Sequence, residues 1–185
     1  EAEGWTLSVV PVYRFGRVDP QGVRRALRPD TVLVSVMAAN NEIGTLQPIA
    51  AIGAIVRAAG ALFHVDATQA LGRVPIDVEA ASIDLLSLSA HKCYGPKGVG
   101  ALYVRRRPRK VELRPLIEGG GQENGLRPGT LNVPGIVGMG VACELAVPAI
   151  DEESARLRSL RERLFAALAS GLDGLALNGP ADDRL

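Results

Sequence analysis

The chain has 185 residues, 47% of them hydrophobic and 22% charged, and a formal net charge of +1. Those values describe a globular chain with a real core and exclude a polycationic nucleic-acid binder, a low-complexity tail and a collagen-like repeat. No apolar run reaches the length of a membrane span. Only two cysteines occur, Cys93 and Cys143, far apart and without CxxC spacing, which excludes a disulfide framework and a zinc knuckle and fits a reducing cytoplasm.

Taken in chain order, residues 5–12 predict a strand. In "VDPQGVRRALRPDT" Asp19 is an N-cap, Pro20 suits the first helical position and Pro29 closes the helix. "TVLVSVMAAN" (31–40) is a nearly continuous apolar, β-branched run, the pattern of a strand buried on both faces of a parallel sheet. After the polar "NNEIGTLQP", residues 48–59 predict a helix with Ile49, Ile52, Ile55 and Val56 on one side and Gly60 as its stop. "ALFHVDATQ", "IDLLSLSA" and "GVGALYVRR" predict three further strands, the first ending near Asp66. Residues 133–147 predict a small-residue helix. Residues 151–170 predict an amphipathic one, with Leu157, Leu160, Leu164 and Leu168 on a shared face and an acidic first turn.

Strand–helix–strand alternation implies an α/β fold with a mostly parallel sheet flanked by helices. In such sheets ligands bind beyond the carboxyl ends of the strands. Asn40 and Asn41, Asp66 and Gln69, and Ser89, His91 and Lys92 all fall at those ends. Three separate strands deliver polar groups to one edge. His64, inside an apolar strand, reads as a satisfied core histidine. "RRRPRK" (105–110) reads as a solvated basic loop, Lys97 as a turn residue, and Cys143 as a buried small hydrophobe. "GGGQENG" is compatible with a backbone anion cradle or with a tight chain reversal.

A lysine amine at a strand edge is useful as a Schiff-base nucleophile. Pyridoxal phosphate demands such an amine, a carboxylate for its pyridinium nitrogen and donors for its phosphate. Lys92, Asp66, and Ser89 with His91 are that set, and Gln69 is placed to reach the ring hydroxyl.

"HVDATQALGRVPIDV", "DLLSLSAHKCYGPKGVGALYVR" and "GGGQENGLRPGTLNVPGIVGMG", with "NNEIGTLQPI" and "VDPQGVRRALRPDT", together resemble the cysteine desulfurases of the class V aminotransferase family. The resemblance runs along the whole chain. It implies the large domain of a fold type I pyridoxal phosphate enzyme over residues 1–149, incomplete at its N-terminal side, and the start of a truncated C-terminal small domain over 150–185. It implies Lys92 as the Schiff-base lysine, Ser89 and His91 on the phosphate, Asp66 on the pyridinium nitrogen, Gln69 on the ring oxygen and Asn41 near that oxygen and the substrate carboxylate. Thr130 would reach the phosphate of a neighbouring subunit in a homodimer.

The implied reaction converts L-cysteine to L-alanine and leaves a persulfide on an enzyme cysteine. A sulfur-acceptor protein, such as an iron–sulfur scaffold, or a thiolation pathway would receive the sulfur. A cytoplasmic setting, with neither nucleic acid nor membrane as partner, is expected. The family's nucleophilic cysteine and its substrate-binding arginine lie downstream of the residues present, so the chain reads as a fragment that by itself does not desulfurate cysteine. Rival readings are a selenocysteine lyase or small-amino-acid aminotransferase of the same class, and a non-catalytic truncated remnant.

Overall fold

Asp19 opens the first helix, α1 (Pro20–Ala26), by accepting a hydrogen bond from the Gln21 N–H at 2.9 Å. That backbone donor holds its carboxyl below the usual aspartate range. The computed structural model describes residues 4–108 and 110–185. Three short strands, β1 (Leu33–Met37), β2 (Leu62–Asp66) and β3 (Leu85–Ser89), lie side by side in parallel, and β4 (Gly100–Val104) pairs antiparallel with β3 at the edge. The β3–β4 link is too short for the crossover of a dozen or more residues that a parallel pair requires, so β4 returns antiparallel.

The sheet has two unlike faces. Val34, Val36, Phe63, Val65, Leu86 and Leu88 form the inner one, with Phe63 and Val65 fully buried. Helix α2 (Ile49–Ala58) covers it through Ile52 and Val56, and Val23 of α1 joins the same core. Burying each such aliphatic or aromatic side chain contributes about 1.5–3 kcal/mol, which outweighs the poor intrinsic helix propensity of the β-branched residues in α2. Gly53 is the point of closest approach: a Cβ there would stand 1.9 Å from the Ala81 carbonyl oxygen. The other face carries Leu33, Ser35, Met37, His64, Asp66, Ser87 and Ser89 and is partly open, with Leu33 49% exposed. The expectation that residues 31–40 are buried on both faces is therefore corrected. Only alternate side chains of β1 pack, because helices cover a single face of this edge strand.

A second correction concerns residues 5–12. They make no strand, only an isolated bridge between Val12 and Val18, and Trp5, Leu7 and Val9 are 62%, 71% and 83% exposed. An apolar pattern needs a neighbouring ladder to become a strand, and none of the described residues supplies one. A third concerns the basic run. Arg105 is 3% exposed rather than solvated, because the alternation from Tyr103 carries it inward. Its guanidinium donates to the Ile83 and Val78 carbonyls at 2.9 and 2.7 Å and pairs with Glu79 at 2.6 Å and Asp84 at 3.4 Å.

Helices α3 (Val133–Ala146) and α4 (Ile150–Gly171) form where expected. The leucine stripe of α4 stays open, with Leu160, Leu164 and Leu168 all exposed. The last residues fold back onto the loop after β1: Leu46 N–H donates to the Asp183 carbonyl, and Leu185 N–H to that of Gly44, both at 2.9 Å. Beneath them Gln47 pins residues 16–18, accepting from Val18 N–H at 2.8 Å and donating to the Gly16 carbonyl at 2.7 Å.

Candidate functional site

Because β1, β2 and β3 are parallel, their carboxyl ends share one edge, and the register sets Met37 beside Asp66 and Asp66 beside Ser87. Asp66 is the last residue of β2. One of its carboxylate oxygens accepts from Thr68 N–H at 2.9 Å, starting the turn that carries half-buried Gln69. No ion pair engages Asp66 or Lys92 among the described residues.

Ser89 ends β3 and a single 3₁₀ turn, Ala90–Lys92, follows. Ser89 Oγ and His91 Nδ1 are 2.9 Å apart, and His91 is exposed. Lys92 is half-buried. The turn is tied down by the Ala90 carbonyl, which accepts from Cys93 N–H at 3.0 Å and Gly95 N–H at 2.9 Å. Cys93 faces inward, 3% exposed, with Sγ donating to the same carbonyl at 3.3 Å. Behind it Gly72, at φ +69°, lets α3 approach: a Cβ there would be 2.8 Å from the Ala146 Cβ and 3.3 Å from the Cys93 Cβ.

After β1, Asn40 shapes the loop. Its Oδ1 accepts from the Glu42 and Ile43 N–H groups, both at 2.9 Å, which leaves Asn41 exposed at the rim. The family resemblance implies a role for Asn41, whereas the Asx turn that presents it belongs to Asn40. Thr130 stands apart on the exposed loop before α3. That loop is a tight reversal, with Glu123, Asn124 and Gly125 in the left-handed region and Gln122 Oε1 accepting from Gly129 N–H at 3.0 Å. Arg127 donates to the carbonyls of its own loop, Pro128 at 3.3 Å and Gly129 at 3.2 Å.

One participant was underestimated in the sequence. His64 is satisfied, as expected, but by hydroxyls on both flanking strands: Nδ1 to Ser35 Oγ at 2.7 Å and Nε2 to Ser87 Oγ at 2.8 Å. Burial pushes its pKa down, against the attraction of Asp66. The two serines are 29 and 23 residues away, and only period-2 alternation on the three strands could have signalled the row.

Taken together, the edge offers an amine and a carboxylate that form no salt bridge among the described residues, and a hydroxyl–imidazole pair. This donor set fits an aldehyde, a protonated ring nitrogen and a phosphate, the three functions of pyridoxal phosphate.

The family model for class V aminotransferases matches residues 1–185, and the chain belongs to that family. It is 57% identical over 185 residues to the cysteine desulfurase IscS of Anaeromyxobacter dehalogenans (strain 2CP-C), covering 100% of this chain and 46% of that protein. It is 50% identical over 184 residues to the mitochondrial cysteine desulfurase of Arabidopsis thaliana, covering 100% of this chain and 40% of that one. A solved NifS-like protein superposes with a TM-score of 0.92 at 43% identity, over 100% of this chain and 50% of its own. The fold is thus that of a NifS-like, fold type I pyridoxal phosphate enzyme, and the chain spans about half the length of the curated relatives it matches.

Proposed function

We propose that this chain is the cofactor-anchoring part of a cysteine desulfurase. What supports the reading is that Asp66 ends β2 while Ser89 ends the adjacent parallel β3 and His91 and Lys92 follow it, in a chain 57% identical to a protein of that name. Pyridoxal phosphate, when bound, supplies an electron sink for the substrate α-carbon. Lys92 provides the amine that holds its aldehyde. Asp66 holds a proton on the ring nitrogen by staying ionised beside it. Ser89 and His91 donate to the phosphate, Gln69 to the ring oxygen, and Asn41 orients the substrate carboxylate. Thr130 completes the phosphate site of a second copy in a homodimer.

Residues 1–149 are the cofactor domain in this reading, and 150–185 begin the small domain. L-cysteine is the substrate, a sulfur-acceptor protein the partner and the cytoplasm the setting. The sulfur-accepting thiol is neither Cys93, which is buried and bonded to Ala90, nor Cys143, whose pKa burial pushes up; a sulfur nucleophile needs an accessible thiolate.

Mixing the protein with pyridoxal phosphate, reducing with borohydride and mapping the adduct tests the site. The label is expected on Lys92, and a label elsewhere overturns the assignment. Alanine release from L-cysteine without a keto acid, assayed in the native protein, supports the desulfurase reading; a requirement for a keto acid would identify an aminotransferase instead.

A further inference from the structure

His64 and Asp66 are two residues apart on β2, so their side chains leave the same face of the sheet. The imidazole reaches both neighbouring strands: Nδ1 meets the hydroxyl of Ser35, its register partner on β1, at 2.7 Å, and Nε2 reaches diagonally to the hydroxyl of Ser87 on β3, the register partner of Asp66, at 2.8 Å. Neither hydroxyl carries charge, and each can donate or accept, so the ring is fully satisfied as a neutral group. A cation at this place would lie beside the Asp66 carboxylate and compete for it. We propose that His64 is a positioning residue for the cofactor: a neutral bridge that fixes the spacing of β1, β2 and β3 under the site and leaves Asp66 for the pyridinium nitrogen. The proposal rests on the pyridoxal phosphate reading above. The charged group acting on the imidazole is Asp66 on its own strand, and Ser35 and Ser87 are its hydrogen-bonding neighbours from β1 and β3.

The test compares His64→Gln with His64→Lys, each alone and combined with Asp66→Asn, by pyridoxal phosphate titration and by thermal melting without cofactor. Gln keeps a neutral hydrogen-bonding side chain and is expected to hold affinity within about threefold of the parent. Lys is expected to lose about tenfold or more, the scale of one extra charge beside a carboxylate. In the Asp66→Asn background the Lys substitution should add no further loss, since its effect runs through that carboxylate. Equal affinity of His64→Lys and the parent overturns the proposal, as does an equal loss in both His64 variants or a full Lys penalty without Asp66.

If His64→Lys does not fold, the imidazole is titrated by NMR in the parent chain with and without pyridoxal phosphate. Pairing Asp66 with a pyridinium removes the attraction that favours the imidazolium, so His64 should titrate at lower pH with cofactor bound. An unchanged or higher titration point overturns the proposal. A parent chain that takes up no pyridoxal phosphate would instead defeat the functional reading itself.

Discussion

Ser89 Oγ and His91 Nδ1 meet at 2.9 Å, one residue before Lys92, so a hydroxyl and an imidazole are aligned by the same turn that presents the amine. Each should donate one charge-assisted hydrogen bond to a phosphate. Ser89→Ala and His91→Ala are each expected to weaken pyridoxal phosphate binding by about tenfold. Their combined loss should fall short of the product, because Ser89 also orients His91. Fluorescence titration of the two single variants and the double reads this directly.

At the opposite end of the sheet Arg105 is clamped between Asp84, Glu79 and two carbonyls. Asp84 also accepts from Phe63 N–H at 2.9 Å, so the pair joins β2, β3 and the residue after β4. The Glu79 carboxylate is 63% exposed and contributes little, whereas the Asp84 partner is buried. Arg105→Ala should cost about 3–5 kcal/mol of unfolding free energy, the usual cost of stripping one member from a buried pair. Cofactor affinity below the melting transition should stay unchanged, which urea titration and cofactor titration together check.

Gly53→Ala sets two effects against each other. Helix propensity favours alanine by about 1 kcal/mol. The added Cβ, however, would stand 1.9 Å from the Ala81 carbonyl oxygen, and backbone must move. Overpacking of this kind costs about 1–3 kcal/mol or more, so the variant should melt lower than the parent. A higher melting temperature would show that α2 shifts freely on the sheet.

His64 gives stability a pH dependence. Its folded pKa lies below the ordinary 6.5 because burial disfavours the imidazolium. Between the folded value and 6.5 the unfolded chain binds a proton that the folded chain refuses, so stability falls as pH is lowered through that window. Asp19, with its depressed pKa, acts in the same direction but only below about 3.8. The urea midpoint should therefore fall between neutral pH and about pH 5.5 in the parent, and fall less in His64→Gln.

Much of this was legible in the residues. Asp19 before Pro20 announced α1, the apolar runs announced β1 to β3, and the strand ends at Asp66 and Ser89 announced the edge. Cap chemistry and period-2 patterning act within a few residues, so the chain by itself determines them. Other features depend on partners far along the chain. Residues 5–12 have strand-like composition without a ladder to join. Arg105 looked like one more basic loop residue until the sheet brought Asp84 and Glu79 to it. His64 looked like a core residue until the sheet brought Ser35 of β1 beside it and Ser87 of β3 within diagonal reach. The sequence determined which groups reach the sheet edge, because alternation and strand length are local properties. Tertiary structure decided which face stays open, which charge is buried and what His64 bridges, because those follow from register and packing between segments that only folding brings together.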